Sequence, residues 1–408
     1  MKIAVIGSGI SGLSAAYYLS KKYKVDIFEQ DDHFGGHSYT YDIKSQDKTI
    51  SVDLGFIVFN ELTYPNLIKF FSELKIPFEK SDMSFSVSVQ DSNVEYGGRG
   101  LKAIFANKLN IFNVSFLKMI KEIILFYKAA PKLLKNNLEN ISLGSYLDKS
   151  KLSKYFIEFH IIPMVAAIWS MPFAQAKEMP LELFLKFFIN HGLFKFKNRP
   201  QWFTVTNRSR TYVKKILASV SGEVFKNYKV SKITRSDENV RLKIGSEYLD
   251  YDQVILASHA DQSLQLLENP TQNEKRILSK FRYIPNVAIL HTDEKLMPKR
   301  KIAWSSWNSI SKGNKSCVTY WLNNLQNLEC SVNYFLTLNP IIEILDSKVI
   351  KKVNFTHPYF NLETLKHQNE LSSLQGKERT WYCGAYFGYG FHEDGLKSAM
   401  NLIKDFKI

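Results

Sequence analysis

The first thirty residues constrain the fold of this chain more than any other stretch. Residues 2–6 form a short apolar run with β-branched side chains, which predicts a buried strand. The pattern Gly-Ser-Gly-Ile-Ser-Gly follows at residues 7–12, and residues 13–22 then have helical character. A second apolar run over residues 24–28 ends on Glu29. Together these segments predict one βαβ unit with a glycine turn and a terminal acid.

Each glycine of this turn has a physical role in binding a dinucleotide. Gly7 permits the tight turn, Gly9 lets the backbone approach a pyrophosphate, and Gly12 lets helix and strand pack closely. The helix N-terminus, with Ser11 in its first turn, supplies free N–H groups for the phosphates. Glu29 is placed to accept hydrogen bonds from ribose hydroxyls. Glycine turns also occur for packing alone, but the complete unit predicts a Rossmann-like site in an α/β protein.

Length and composition limit the class of protein. A chain of 408 residues predicts two domains, and 45% hydrophobic with 14% aromatic residues is typical of a globular protein. No run of about eighteen apolar residues predicts a transmembrane helix. The first strand starts too early for a signal peptide to precede it. Three scattered cysteines predict neither a disulfide framework nor a zinc site, so a reducing cytoplasm is the expected compartment.

The chain carries a formal net charge of +15. A lysine-rich compositional bias, with solvated side chains, accounts for it most simply. Attraction to anionic lipid headgroups is the next interpretation, which predicts peripheral contact with the inner face of the membrane. No helix-turn-helix, zinc or RNP-type motif accompanies the charge, so we expect no nucleic-acid partner.

A second glycine pair follows the ribose-binding acid, at Gly35-Gly36-His37-Ser38, and Asp53-Leu-Gly comes soon after it. This arrangement resembles the flavin-containing amine oxidases and phytoene desaturases, whose GG loop passes the diphosphate and the flavin. The resemblance implies FAD rather than NAD as cofactor, with contacts from the loop. Relatives often have an arginine after the pair. Here His37 stands there, either as a cofactor contact or as an ordinary loop residue.

Residues 61–199 read as mostly helical, with a β-like stretch at residues 85–89. Residues 112–135 predict a long apolar helix with a narrow polar stripe, broken or kinked at Pro131. The stripe consists of Lys118, Lys121, Glu122, Lys128, Lys132 and Lys135. Two interpretations stay open: a core helix, which we favour, or a basic amphipathic helix on a membrane surface.

The later part of the chain predicts a return to the first sheet. In the resembling superfamily, the residue matching Val230 contacts the adenine through its backbone, although Val230 is also a plausible strand-core residue. Residues 251–260 predict a buried strand and turn that place His259 at a carboxyl end, where α/β ligands bind. His259 is therefore a catalytic candidate, with a purely structural role as the alternative. Residues 281–339 look β-rich and predict a substrate-domain sheet.

The C-terminal segment predicts a strand, a glycine turn at Gly384 and a terminal helix. The resemblance implies that the N-terminus of this helix faces the flavin. Tyr386 and His392 are therefore the first catalytic candidates. Relatives often carry an acid directly after the strand, where this chain has Ala385-Tyr386. Glu393 or Asp394 is expected either to replace that acid at the cofactor or to cap the helix.

Longer stretches, such as residues 162–170 and 390–395, resemble a bacterial family of predicted NAD/FAD-binding, amine-oxidase-like proteins. The resemblance implies a Rossmann-like FAD-binding domain of the amine oxidase and glutathione reductase type. Its segments are 1–60, 200–262 and 376–408. Residues 61–199 and 263–375 then form a discontinuous, helical-plus-β-sheet substrate domain. One departure is Asn207-Arg208, where relatives tend to have glycines.

Members of that family tend to be associated with cyclopropane-fatty-acid-synthase-like methyltransferases. The resemblance thus implies an FAD-dependent oxidoreductase that oxidises or desaturates a fatty-acyl or phospholipid substrate, with a lipid methyltransferase as a candidate partner. A soluble amine oxidase and a non-catalytic FAD-bound partner of the methyltransferase are the alternatives. His291 and Asp293 have no third ligand nearby, so we expect no metal site.

Overall fold

The opening βαβ unit forms as the sequence predicts. The computed structural model describes residues 1–44, 48–92, 94–313 and 315–406. Strand Lys2–Ile6 leads through the glycine turn into helix Ile10–Leu19, and strand Lys24–Glu29 follows. The turn requires glycine at its first position, because Gly7 adopts a φ of +100°, where a side chain is strained.

A five-stranded parallel sheet extends this unit. Its strand order is Val224–Lys226, Lys24–Glu29, Lys2–Ile6, Gln253–Leu256 and Thr380–Tyr382. Successive side chains of a strand point to opposite faces. Ile3 and Val5 accordingly pack with the first and last helices, whereas Ala4 and Ile6 pack on the other face. Since all five strands are parallel, their carboxyl ends lie along one edge of the sheet.

A seven-stranded mixed sheet contains the predicted β-rich segment. Its order is Val349–Tyr359, Arg282–His291, Phe335–Leu338, Lys315–Trp321, Trp307–Lys312, Phe85–Val89 and Val94–Gly97. The β-like stretch at residues 85–89 is therefore a strand, as predicted. Strand Val349–Tyr359 was not predicted. It lies at the edge of the sheet and pairs with a strand on one side only. Pro358, which has no backbone N–H to donate, is tolerated there.

Three smaller sheets complete the β structure. They are Thr40–Lys44 with Thr49–Asp53; Phe59–Asn60, Trp202–Val205 and Phe78–Ser81; and Val230–Arg235, Val240–Ile244 and Glu247–Tyr251. The second of these joins residues on both sides of the expected domain boundaries near residues 60 and 200. Those boundaries stay predictions.

Helices pack between and around the sheets. After the first helix they are Pro65–Glu73, Leu101–Ile104, Val114–Leu133, Leu143–Lys149, Lys154–Phe156, Ile162–Trp169, Phe173–Glu178, Leu181–Asn190, Arg210–Leu217, Ala260–Leu266, Gln272–Leu278, Leu322–Leu325, Leu362–Gln368 and His392–Asp405. A π-helical turn, Ile157–Ile161, joins two of them. Residues 61–199 are thus mostly helical, as expected. In the described part of the chain, no helix is long and apolar enough to cross a bilayer.

Helix Val114–Leu133 contains Pro131 in its last turn and ends two residues later. Its polar stripe differs from the predicted one at a single residue, Glu122. Glu122, assigned to the polar stripe, is buried, and its carboxylate accepts hydrogen bonds from the backbone N–H of Ser153 (3.1 Å) and from its hydroxyl. The acid therefore anchors the helix to the segment that follows it, and the solvent-facing charges of this helix are lysines.

Candidate functional site

The candidate site lies at the carboxyl edge of the parallel sheet. Four connections leave this edge: the turn at Gly7, the acid Glu29, the turn that carries His259, and the turn at Gly384. In open α/β sheets, ligands bind in the crevice outside the carboxyl ends of the strands. Residues predicted from distant parts of the sequence therefore converge on one edge.

The glycine turn leaves open space on one side only. A Cβ on Gly12 would lie 2.0 Å from the carbonyl oxygen of Gly7, so helix and strand touch there. A Cβ on Gly9 would have no atom within 4 Å. The space beside Gly9 lies at the N-terminus of helix Ile10–Leu19, whose first N–H groups have no acceptor within the helix. This arrangement fits a pyrophosphate.

Glu29 is held in place by the glycine turn. One carboxylate oxygen accepts hydrogen bonds from the backbone N–H of Ser8 (2.9 Å) and from its hydroxyl (2.5 Å), and the other accepts from the N–H of Asp31 (3.0 Å). A carboxylate offers about four lone-pair sites, so capacity for a ribose hydroxyl is left. The N–H of Tyr228 donates to the carbonyl of Glu29 (2.8 Å). This hydrogen bond places the segment before Val230 next to Glu29. Val230 itself is buried and pairs with Ile244.

The GG loop packs directly on the glycine turn. The N–H of Gly35 donates to the hydroxyl of Ser8 (3.1 Å), and a Cβ on Gly36 would lie 3.2 Å from the Cα of Gly9. Both glycines of the pair have positive φ, at +117° and +56°. The close approach brings the predicted loop residues to the same side as the first helix.

The terminal helix His392–Asp405 begins beside the first helix. A Cβ on Gly395 would lie 2.7 Å from the hydroxyl oxygen of Ser11 and 2.9 Å from a methyl carbon of Ile10. The N-termini of the two helices thus meet near the GG loop, and the positive ends of their dipoles favour an anion there. In the turn before this helix, the N–H of Gly384 donates to the hydroxyl of Ser398 (2.9 Å).

The two acids of this helix act as caps in the structure. One carboxylate oxygen of Glu393 accepts from the N–H (3.0 Å) and side chain (2.6 Å) of Asn66, and the other accepts from the N–H of Leu67 (2.9 Å). Glu393 therefore caps helix Pro65–Glu73. Asp394 accepts from the N–H of Phe391 (3.0 Å) and caps its own helix. Both acids therefore have the expected capping role, and since capping is compatible with cofactor contact, that second role stays a prediction.

Three histidines from separate segments meet beside the GG loop. His37 stacks on Phe355 with ring centroids 5.0 Å apart, and its ring lies 5.2 Å from that of His357. His259 stacks on Tyr283 at 4.0 Å. We call the group of neighbouring rings formed by His37, His259, Phe355 and His357 the histidine crevice. The Nε2 atom of His37 is buried without a hydrogen-bond partner among the described residues, so it is available to a ligand.

These imidazoles are neutral near pH 7. Burial, reinforced by a neighbouring histidine, lowers the pKa of His37 and of His259 to about 4 and that of His357 to about 3. Burial also holds the pKa of His392 well below its usual range. The charged groups that act on these four pKa values are other histidines, and no carboxylate is among them. Each ring therefore offers one donor and one acceptor.

His392 belongs to a buried hydrogen-bond network. Its Nε2 lies 3.0 Å from the hydroxyl of Ser38 and 2.9 Å from that of Tyr212, and these two hydroxyls also bond each other. The ring of His392 stacks on Phe56 at 3.7 Å. The network links the GG loop, the helix Arg210–Leu217 and the terminal helix.

Tyr386 does not join this network. It is 2% exposed, its ring packs against Phe281 at 5.3 Å, and its hydroxyl is buried without a partner in the described part of the molecule. Burial raises its pKa well above the usual value, which opposes a role in proton exchange. The structure thus separates Tyr386 from His392, although the sequence places the two only six residues apart.

Sequence reasoning missed several residues of this region. Phe355 and His357 lie on the edge strand that was not predicted, and the sequence analysis assigned no role to Phe56 or Tyr212. The alternation of polar and apolar residues over 352–356 was the available signal for the strand. No signal within the sequence places His357 beside His37.

The departure at Asn207-Arg208 has a structural explanation. Both residues have positive φ, at +61° and +74°, where glycine is favoured. The Arg208 guanidinium donates to the carbonyls of Ser51 (2.7 Å) and Gln326 (3.0 Å). The arginine thus ties together two distant segments, which offsets the strained backbone.

The described residues hold no cluster of three or more metal-ligating side chains.

Comparisons with known proteins agree with this architecture. Residues 5–74 match the model of an NAD(P)-binding Rossmann-like domain. The prenylcysteine oxidase 1 of Rattus norvegicus is 44% identical over 50 residues, which span 11% of this chain and 10% of the rat protein.

Solved structures match over the whole chain at low identity. A putrescine oxidase bound to putrescine has a TM-score of 0.72 at 13% identity, covering 100% of this chain and 99% of its own. The cyclohexylamine oxidase from Brevibacterium oxydans has a TM-score of 0.71 at 13% identity with the same coverage. The CLA-producing fatty acid isomerase from P. acnes has a TM-score of 0.66 at 14% identity, covering 100% and 98%. The predicted fold, a Rossmann-like nucleotide-binding domain of the amine oxidase type, is confirmed.

Proposed function

We propose that this chain is an FAD-dependent oxidoreductase that oxidises or desaturates a hydrophobic substrate of the fatty-acyl or phospholipid class. Bound FAD would accept two electrons and a proton, or a hydride, from a C–H bond of the substrate. Gly9, Gly36 and the two helix N-termini would hold the diphosphate, and Glu29 the ribose. The unpartnered Nε2 of His37 and the open space beside Gly9 fit this cofactor.

The observation that carries the substrate class is that packed imidazole and aromatic rings make up the histidine crevice. Burial holds the pKa values of its imidazoles below their usual range, and the charges that act on them include no carboxylate that would hold an ammonium group. Next to His392, Phe391 stacks on Phe187 at 5.0 Å, and Trp169 packs against Phe187 at 4.6 Å. Trp169 and Phe187 belong to a hydrophobic core cluster on which Phe391 packs, so the start of the terminal helix has apolar surroundings. The similarity to a fatty acid isomerase and to a prenylcysteine oxidase supports the same class.

In this proposal, His37, His259 and His392 orient the reacting groups as neutral donors and acceptors rather than as charged acids. Packing of Phe355 and Tyr283 on two of these rings fixes their planes. The proposal assigns no proton transfer to Tyr386, because burial raises the pKa of its hydroxyl well above the usual value.

The experiment has two steps. The absorption spectrum of the purified protein tests the cofactor, and we expect oxidised-flavin bands. Anaerobic stopped-flow mixing with acyl phospholipids and with alkyl amines then tests the substrate. We expect bleaching by a phospholipid and not by an amine. Rapid bleaching by amines alone would contradict the lipid class and leave the FAD assignment intact.

A soluble amine oxidase is the second candidate function. The similarity in fold to putrescine and cyclohexylamine oxidases favours it. The same stopped-flow comparison decides between the two, because each candidate function predicts slow bleaching by the other's substrate.

A non-catalytic role as FAD-bound partner of a lipid methyltransferase stays a prediction. A folded Gly9→Ala variant without FAD separates it from the enzyme, since only a non-catalytic partner would still restore modified lipid in cells that lack the protein. Lipid analysis of such cells provides the measurement.

A further inference from the structure

Large apolar side chains project into solvent from one short segment far from the nucleotide site in sequence. We call this set the apolar tip; its members are Leu101, Leu109, Ile111, Phe112, Val114 and Leu117. Phe112 is 83% exposed, Val114 79% and Leu101 76%. Single exposed apolar residues are ordinary, but a concentration of six within seventeen positions marks an interaction surface.

The apolar tip is presented by ordered backbone. It extends from helix Leu101–Ile104 through the 3₁₀ turn Lys108–Phe112 to the first turn of helix Val114–Leu133. Buried residues Ala103, Asn110 and Phe116 anchor these three pieces to the protein. The side chain of Asn113 accepts a hydrogen bond from the N–H of Phe116 (3.1 Å) and caps the long helix. The exposed side chains are therefore held outward by a built scaffold.

Positive charge surrounds the apolar tip. Residues 99–135 contain eight lysines and arginines and one acid, Glu122, which is buried and bonded to Ser153. Lys102, Lys108 and Lys121 make no ion pair with any carboxylate of the described residues. The segment that carries the apolar tip therefore also carries unpaired lysines, whereas Arg99 pairs with Asp82 and Lys118 with Glu122.

This chemistry selects one partner. A second copy of the chain would bring lysines against lysines, which disfavours self-association. An anionic bilayer offers an apolar interior for the exposed side chains and phosphate headgroups for the lysines. We propose that the apolar tip inserts into the surface of an anionic membrane and docks the protein there. The proposal does not rest on the redox function, although docking would bring the site to a lipid substrate.

Vesicle co-sedimentation tests the proposal with the full-length protein. The probes are vesicles of phosphatidylcholine alone and of phosphatidylcholine with phosphatidylglycerol. We expect binding to the anionic vesicles, weakening as salt is added. The triple variant Leu109→Ser, Phe112→Ser, Val114→Ser should bind at least about tenfold more weakly. Its matched control, Tyr248→Ser with Val332→Ser, removes exposed apolar side chains elsewhere and should bind like the wild type.

The charge contribution has its own pair of variants. Each lysine near an anionic surface contributes about fivefold in affinity, so Lys102→Gln, Lys108→Gln, Lys121→Gln together should weaken binding about 100-fold. The control neutralises three exposed lysines elsewhere: Lys215, Lys275 and Lys352. Absence of binding to anionic vesicles, or equal binding by the serine variant, would overturn the proposal. An unchanged flavin spectrum in every variant distinguishes that failure from a failure of the proposed function.

Discussion

The candidate site has two ends, the glycine turn and the histidine crevice. Backbone atoms form the first, and side-chain rings form the second. At the glycine end, backbone atoms pack within van der Waals contact, as the 2.0 Å approach of a Gly12 Cβ to the Gly7 carbonyl shows. At the histidine crevice, rings from separate segments stack: His37 on Phe355 at 5.0 Å and His259 on Tyr283 at 4.0 Å. Backbone contacts leave no tolerance for a methyl group, whereas stacked rings accept another ring of similar shape. Substitutions at the glycine end should therefore act on folding and binding, and substitutions at the crevice on protonation and chemistry.

The largest effect is expected at Gly12. In Gly12→Ala, the new methyl group would meet the carbonyl of Gly7 and the Cβ of Ala257, so the helix must move away from the strand. We expect the free energy of unfolding to fall by roughly 3–5 kcal/mol. Urea denaturation of the cofactor-free protein measures it. Unchanged stability would show that the contact between helix and strand is looser than the structure has it.

Gly9→Ala provides the contrast within the same turn. Its methyl group would enter open space, so the stability of the cofactor-free protein should change by less than about 0.5 kcal/mol. The affinity for FAD should drop by about 10- to 100-fold, because the methyl group occupies space that the diphosphate needs. Titration of the cofactor-free protein with FAD measures this change. Equal affinity in the variant and the wild type would place the diphosphate elsewhere.

The histidine crevice predicts a dependence of stability on pH. His259 has a folded-state pKa of about 4, against about 6.5 when unfolded, so the unfolded chain binds more protons between these values. The contribution of His259 to the free energy of unfolding is therefore fully present above pH 6.5, and it is lost as the pH is lowered towards 4. His259→Phe keeps a ring on Tyr283 and should reduce the proton uptake on unfolding by up to about one, which amounts to roughly 3 kcal/mol by pH 4.

Denaturation of wild type and His259→Phe at a series of pH values measures this difference. His367→Phe is the matched control, since it replaces a histidine on helix Leu362–Gln368, outside the crevice. Parallel pH profiles of His259→Phe and the wild type would mean that His259 is not buried as a neutral ring.

The same contrast explains how much the sequence revealed. The glycine end depends on residues near in sequence and on steric rules that apply to any chain, so Gly7, Gly12 and Glu29 could be placed before the structure was known. The crevice depends on pairings between distant strands. Strand Val349–Tyr359 pairs with Arg282–His291 through a register that no local pattern specifies, so His357 was missed.

Glu393 illustrates a further limit of the sequence. The residue was correctly placed at the start of the terminal helix, but its hydrogen bonds go to Asn66 and Leu67, more than three hundred positions away. The resemblance to a superfamily could indicate that an acid belongs near this helix. It could not indicate which donors the acid meets, because those depend on how helix Pro65–Glu73 packs.

The smallest effect is expected where the two ends join. Tyr212→Phe removes one hydroxyl from the network of Ser38, Tyr212 and His392, but the 3.0 Å contact between Ser38 and His392 is left to satisfy both partners. The ring itself, fully buried, still fills its site. We expect a loss of about 1 kcal/mol in the free energy of unfolding and an unchanged affinity for FAD. Tyr212→Ala, which also removes the ring, should cost about 3–5 kcal/mol and provides the scale. A loss of FAD from the phenylalanine variant would mean that this hydroxyl couples the crevice to the glycine end, and the two regions would then not be separable.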